Sequence, residues 1–431
     1  MNFYIGTVIN PKDDESAEYL KAGLLAVEET EAGSRIRDLL PLEPGVDKYG
    51  TQMTRRNTTD FGAALLLPGF FDMHFHWVQD DVREMPKDSL LEWLEKYTFP
   101  AEMRFAKRSY ARARAREFFR KLVAHGTVGG ACYSSIHEHA LDAAMTHARG
   151  HFVIGNVLMN VHSPPALTQS DEDAVAVTAR LIDRHGTRHC FTPRFAITTT
   201  PTVMRAGARL ADGAGCFKQT HLSETPQEID FVLSIYRKLP GFERVSSYTE
   251  IYEKSGMLGK RSLMGHGIHL SPKELKVLGR TKTTLVHCPT SNAPIKELGL
   301  GSGLFDFRKV ERAKVRWALG SDIGGGPFLS MFDVMRSFVD QNKRACVPGA
   351  TYVKALYRAT LAGAEILNLG RRAGSLARGK EATFIVVPLA GLKLPDDPET
   401  LLKRVIEPHR RNRAKYAELV MAVYLNGQRQ R

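Results

Sequence analysis

Long hydrophobic runs are missing from this sequence. Nothing in it approaches the ~18 consecutive apolar residues that a membrane-crossing helix requires, so no transmembrane helix is expected. The opening residues, Met1-Asn2-Phe3-Tyr4-Ile5-Gly6, hold no basic segment followed by an apolar core, and the expectation is a cytoplasmic protein rather than a secreted one. Cysteine is sparse and odd in number: five residues, Cys132, Cys190, Cys216, Cys288 and Cys346, with no Cys-x-x-Cys pair. That argues against a disulfide framework and against a thiolate zinc site. All but Cys346 stand in or beside apolar runs, where a reduced cysteine packs as a small hydrophobe. Acidic residues are outnumbered, 47 against 60 Lys and Arg, which leaves a formal charge of +13. Much of the excess is local: Arg104 to Lys121 carries eight Lys/Arg against one Glu, and Arg410 to Lys415 is a second cluster. A basic helix can be a footprint for nucleic acid. Here Arg112, Arg114 and Arg116 alternate with alanine, as on a solvated outer helix, and no nucleic-acid-binding motif accompanies them, so nucleic acid is not an expected partner.

What is present is the composition of a globular chain, 43% hydrophobic and 25% charged over 431 residues. That length exceeds one core of ordinary size and fits a large barrel with a smaller domain beside it. Residues 1–63 read as short strands: 2–9 and 23–28 are apolar or alternating, and 10–14 (Asn-Pro-Lys-Asp-Asp) is turn chemistry. From 64 to 376 strand-like and helix-like segments alternate. Eight strand candidates end near His76, Tyr133, Met159, Arg194, His221, His266, His287 and Asp322. Helical segments are expected at 90–97, stopping before Pro100, and at 109–123, 137–147, 171–184, 201–210, 227–237, 272–278 and 305–313, followed by 328–343 and 352–367. Eight strand–helix repeats call for an α/β fold with a (β/α)8 TIM-like barrel. In 377–431, segments 382–387 and 419–425 are strands, and Asn426-Gly427 is a turn signal. The two chain ends are expected to pair into one small discontinuous β-sandwich.

The stretch around which the barrel is organised runs from Leu65 to His76 and ends Asp72-Met73-His74-Phe75-His76. Alternate side chains of a strand share a face, so His74 and His76 project together, as two donors to one metal ion do. In parallel barrels the reactive groups stand at the C-terminal strand ends. Further strands here end in His221, His266, His287 and Asp322. Three imidazoles and one carboxylate suit Zn²⁺ with room for a water, and bound zinc brings the pKa of that water to roughly 7. Asp322 can take the water's proton as well as touch the metal, and His266 can hold the hydroxide from the side. Glu224 follows His221 by three residues and precedes Thr225-Pro226-Gln227-Glu228, a capping box with Pro at the first helical position. Glu224 therefore lies in the turn leaving the strand, beside the expected metal, where a carboxylate can shuttle protons.

Several motifs resemble those of the zinc amidohydrolase superfamily. Pro68 to His76 is similar to its opening motif, His287-Cys288-Pro289-Thr290-Ser291-Asn292 to the strand 7 motif of its aminohydrolase branch, and Ser321 to Gly326 to its strand 8 motif. Within the superfamily the guanine deaminase branch is the nearest likeness, carried by Leu90 to Glu102, by Thr127 to Tyr133 with Ile136-His137, and by Thr192-Pro193-Arg194-Phe195. The likeness covers about residues 60–385 well and the ends loosely. It implies His74, His76, His221 and Asp322 as ligands of one zinc per subunit, with His266 at the metal site or the attacking hydroxide, and Glu224 as proton shuttle. It also implies that Gln79 and Arg194 hydrogen-bond a purine edge, that Phe195 stacks on the ring, and that His221, Glu224 and His266 border the substrate. The implied activity is hydrolytic deamination of guanine to xanthine and ammonia by a homodimeric enzyme of purine catabolism. Trp77-Val78 departs from the smaller residues expected between His76 and Gln79, and the basic 403–415 segment has no counterpart in the pattern.

The nearest rival is an aminohydrolase of the same fold acting on another purine, a pyrimidine or a triazine. A binuclear hydantoinase-like amidase usually needs a modified lysine at the strand 4 end, where Arg194 stands. The cytidine-deaminase type of zinc site needs His-x-Glu with Pro-Cys-x-x-Cys, which does not occur. A non-catalytic scaffold on this fold would have lost its ligands, and every one of them is present.

Overall fold

The computed structural model describes every residue except 32, 295–298, 390 and 431. In chain order its strands are β1 (Asn2–Pro11), β2 (Ala17–Thr30), β3 (Gly33–Pro41), β4 (Thr58–Pro68), β5 (Phe70–His76), β6 (Thr127–Tyr133), β7 (His151–Gly155), β8 (Val157–Leu158), β9 (Cys190–Pro193), β10 (Phe217–Leu222), β11 (Ser262–His266), β12 (Thr284–His287), β13 (Arg316–Leu319), β14 (Phe384–Pro388), β15 (Ala422–Leu425) and β16 (Gln428–Arg429). The chain divides into two compact units, one of residues 1–72, 120–130 and 328–431, the other of 73–119 and 131–327.

The first unit is built on one seven-stranded sheet ordered β16-β15-β14-β4-β1-β2-β3, so both chain ends contribute. Period-two alternation sorts its residues to two faces. Tyr4, Val8, Leu25 and Val27 join Phe384 and Tyr424 in one core, while Phe3, Leu24 and Ala26 join Tyr49 in another. Asn426 and Gly427, both with positive φ, make the tight turn from β15 to β16. The continuous strand expected through residues 65–76 is instead two: β4 pairs with β1 and β14, and β5 begins after Gly69. Pro68 offers no backbone donor with which to continue the ladder. The basic tail is structural here: Arg413 binds Asp333 at 2.6 Å and Arg410 binds Asp340 at 2.6 Å. A helix at Pro398–Ile406, which the sequence pattern did not predict, precedes this segment.

The second unit carries the barrel. Strands β8 to β13 form a six-stranded sheet in reverse order from β13, with parallel pairings among the described residues, and β5-β6-β7 form a three-stranded sheet. Two seams join them: the amide of Asp322 donates to the carbonyl of His74 at 2.7 Å, and Ile154 bridges His189. Every residue of β6, β9, β11 and β12 is buried, as in a parallel sheet covered on both faces. Many helix starts follow the sequence because a side chain caps them, as at Ser170, Thr200, Asp306 and Thr351, with full capping boxes at Thr225/Glu228 and Ser271/Glu274; the helices from Glu138 and Met331 begin without one. The segment at 90–97 departs from expectation. It is a short α-turn, Leu90–Trp93, then a π-helical turn, Leu94–Thr98, and it runs on as Phe99–Met103. Pro100 does not end it, because Pro100 lies in the first turn of the new helix, where its missing N–H is not needed. The expected helix at 352–367 divides into Tyr352–Arg358 and Leu361–Ile366, and Tyr248–Lys254 is an added helix.

Candidate active site and metal centre

Four strand ends of the barrel converge on one cavity of about 380 Å³. β5 ends in His76, with His74 two residues earlier on the same face; β10 carries His221, β11 ends in His266, and Asp322 follows β13. Donor atoms of His74, His76, His221 and Asp322 all lie within 4.8 Å of one another. His74 Nε2 is 3.3 Å from Asp322 Oδ1, and His76 Nε2 is 3.9 Å from the same oxygen. His266 and Asp322 both have left-handed backbones, φ 71° and 51°, a conformation that non-glycine residues adopt at a cost when a site demands it.

Local hydrogen bonds set the imidazoles up as ligands. Nδ1 of His221 donates to the carbonyl of Arg194 at 2.6 Å, which leaves the Nε2 lone pair free to face Nε2 of His76, 3.1 Å away. Two neutral ring nitrogens turned toward each other are satisfied by a shared cation. Burial and the neighbouring imidazoles hold His76 and His221 well below the ordinary histidine range, so both rings stay neutral at physiological pH. Burial pushes the Asp322 carboxyl up, but the His74 hydrogen bond and the surrounding imidazoles outweigh it and leave the group at about 2. Three imidazoles and one carboxylate are the donor set of a Zn²⁺ site, and these residues fit that ion.

Next to this centre stands Glu224, 2% exposed. Its Oε1 accepts from Asn292 Nδ2 at 2.9 Å, and His266 Nδ1 lies 3.5 Å away. Asn292 also takes a hydrogen bond from His266 Nδ1 at 3.1 Å, so it holds both groups. His266 Nε2 has no hydrogen-bond partner among the described residues. Burial, then the charge of Asp322, pushes the Glu224 carboxyl well above its ordinary value against the pull of Asn292 and Ser302, a shift in favour of its protonated form. Gln79, Arg194, Phe195 and Glu228 complete the polar and aromatic wall, and Leu90, Trp93 and Leu94 line it from the helical segment after β5.

The structure brings His74, His76, Gln79, Arg194, Phe195, His221, Glu224, His266 and Asp322 to this one place. It does not bring His287: that ring lies flat on Phe305, centroids 4.4 Å apart and 9° between planes, outside the donor group. Trp77 leaves the cavity open, because it turns into an aromatic cluster edge-on to Phe105 and donates Nε1 to Ser134 at 3.0 Å. The sequence pattern missed five contributors. Asn292 stands in a quoted motif without a role. Glu228 reads as a helix cap only, yet it lines the cavity and is raised to about 7 by burial and by Glu224. Tyr133 covers the His74 and His76 rings at 4.6 and 4.4 Å. Gly265 and Gly320 make room for His74, since a Cβ at either would come within 2.6 and 2.8 Å of its atoms. The basic helix Arg108–Ala124 places Arg108, Arg112 and Arg116 in an outer groove with His139 and His147, away from this cavity.

A parallel barrel with a buried three-histidine, one-aspartate centre at its C-terminal rim, and a proton-holding glutamate beside it, defines the class of metal-dependent hydrolases. The amidohydrolase family model matches residues 65–419, and the chain belongs to that family. Guanine deaminase of Escherichia coli K12 is 32% identical over 88% of this chain and 84% of its own length. Guanine deaminase of Dictyostelium discoideum is 33% identical over 88% and 87%. Among solved structures, guanine deaminase from C. acetobutylicum with bound guanine in its active site superimposes with a TM-score of 0.85 at 26% identity, covering 99% of each chain.

Proposed function

We infer that this protein is a hydrolase that deaminates guanine to xanthine and ammonia. The observation that carries the chemistry is the pairing of a buried, proton-holding Glu224 with the His74–His76–His221–Asp322 donor group at one cavity wall. The relatives named above support guanine as the substrate.

In this reading His74, His76, His221 and Asp322 would hold one Zn²⁺ per subunit. When bound, that ion would supply a water acidified to a pKa of roughly 7 as the nucleophile. The remaining work belongs to the chain's own groups. Arg194 and Gln79 would bind the purine edge and Phe195 would stack on its face. Asp322, a carboxylate across the physiological range, would accept the proton of the attacking water. Glu224 would deliver its proton to a ring nitrogen, then take the proton that the added hydroxyl loses as it becomes the new carbonyl and carry it to the departing amine; the proton left on Asp322 would restore Glu224 for the next turnover. His266, held by Asn292, would present its bare Nε2 to the incoming oxygen. Leu90, Trp93 and Leu94 would exclude bulk water. The same reading makes the enzyme a cytoplasmic homodimer of purine catabolism, supported by its likeness to the family. Light scattering coupled to size-exclusion chromatography measures the oligomer.

The direct test is ammonia release by zinc-loaded protein from guanine, adenine, cytosine, guanosine and a triazine. Release from guanine alone, abolished by a chelator, is the expected outcome. Release from another member would move the substrate assignment and keep the chemistry. In parallel, Glu224→Gln should lower kcat by about 10²–10⁴ with zinc content unchanged; full turnover by the folded variant would remove Glu224 from the mechanism.

A further inference from the structure

Glu102 is a charged residue with no exposure to solvent, and it lies 92 positions from the group it binds. Its two oxygens accept from Nη1 of Arg194 at 2.7 and 2.8 Å, and Oε1 also accepts from Nε2 of Gln79 at 3.0 Å. The other end of the Gln79 amide accepts the Gly324 N–H at 3.2 Å. The amide of Gln79 therefore has one orientation, set from both sides. The Arg194 guanidinium is backed by the Phe99 ring, 5.4 Å from its centroid. Phe99 and Glu102 share the short Phe99–Met103 helix, which continues the segment that lines the cavity with Trp93 and Leu94.

Three consequences follow. Arg194 is 2% exposed, and without a counter-charge its desolvation would be costly; Glu102 supplies that charge. The pair is neutral overall, so the cavity offers directed donors rather than a net cation, which favours an uncharged ligand with a carbonyl over an anion. With Nη1 committed to Glu102, the rest of the planar fork is what Arg194 can offer into the cavity it lines. A second amide proton remains on Gln79. Two donors held by one carboxylate present a fixed spacing to a ligand edge.

We propose that Glu102 is the positioning residue that sets substrate selectivity: by holding Arg194 and Gln79 together it makes the site prefer a purine with an oxo group over one lacking it. This rests on the functional reading above. Without Glu102, Arg194 keeps its charge but loses its direction, and Gln79 loses the acceptor that orients its amide. The penalty then falls on substrates that need both donors. A site that hydrogen-bonds a substrate group discriminates strongly against analogues without it, so the ratio is the sensitive quantity.

The experiment compares guanine with 2-aminopurine, which carries the same leaving amine and lacks the 6-oxo group, in wild type, Glu102→Gln, Glu102→Asp and Arg194→Ala. Steady-state kinetics are read together with zinc content and thermal melting. In Glu102→Gln the KM for guanine should rise at least ~10-fold with kcat changed less, and the guanine to 2-aminopurine ratio of kcat/KM should fall by at least ~10-fold. Glu102→Asp, which keeps the charge, should recover part of the ratio. Glu102→Gln in an Arg194→Ala background should add little, because the two residues act as one unit. Equal losses on both substrates at full zinc content would mean a merely structural role and overturn the proposal, as would an unchanged ratio. If Glu102→Gln does not fold, the partial loss of ratio in Glu102→Asp decides the matter by the same criterion. A wild type that prefers guanine while the variants keep that preference defeats this inference alone. A wild type without any preference for guanine defeats the functional reading, and the inference with it.

Discussion

At the scale of single residues, burial decides what each ionisable group does. Glu224 and Asp322 are both carboxylates on one cavity, yet burial and the charge of Asp322 keep Glu224 protonated, while hydrogen bonding and imidazoles keep Asp322 ionised. Two carboxyls with separated affinities for protons are an acid and a base in waiting. Burial has a stability cost elsewhere. His189, at the start of the barrel strand β9, is held at about 3 by burial, far below its ordinary 6.5. Between those values the unfolded chain binds a proton that the folded chain refuses, so stability is lost as pH falls below about 6.5 and continues to fall toward 3, at up to ~1.4 kcal/mol per pH unit. His189 Nε2 pairs with Asn156 Oδ1 at 3.2 Å, a bond that a glutamine amide can also donate. Denaturant titrations at pH 5 and pH 8 should show a smaller acid penalty in His189→Gln than in wild type; equal penalties would clear His189 of any part in it.

At the scale of elements, the strands of the barrel act as a frame in which small residues matter as much as ligands. β11 passes His74 with Gly265, and the residue after β13 is Gly320; a methyl group at Gly265 would stand 2.6 Å from the His74 ring. Gly265→Ala should therefore turn His74 out of the donor group while the barrel persists. The expected result is a 10- to 100-fold loss of zinc affinity, about the size seen when a ligand's support is removed, read by competition with a chromogenic chelator. Unaltered affinity would mean that the ring moves aside without leaving the site. The helical segment after β5 has similar leverage. Its continuation past Pro100 carries Glu102 to Arg194, a link that a helix ending before the proline would not supply.

At the scale of the whole molecule, the four prospective ligands come from three separated parts of the chain, His74 and His76 near one end of the barrel sequence, His221 in the middle and Asp322 at the other. An ion that joins them stabilises only the folded chain. At a free zinc concentration 100 times Kd the gain is about 2.7 kcal/mol. Metal-depleted protein should melt below zinc-loaded protein, and Asp322→Asn should erase most of that difference; a melting temperature indifferent to zinc would count against the donor group as a metal site.

How much of this was legible in the chain depends on the range of the physics involved. The sequence by itself determined the alternation of strands and helices, many of the helix starts and the candidate donors at the strand ends. Those follow from short-range rules: the two-residue period of strands, side-chain caps, and the chemistry that metal ions demand of their ligands. Only the tertiary structure decided which strand-end histidines share the cavity. Local periodicity cannot tell whether His287 faces the donors or, as it does, lies on Phe305. The clamp of Glu102 on Arg194 and Gln79, the bridge of Asn292 between His266 and Glu224, and the space that Gly265 leaves for His74 were also beyond the sequence pattern. Each joins residues tens of positions or more apart, and such pairs meet only when the register of the closed barrel brings their strand ends together.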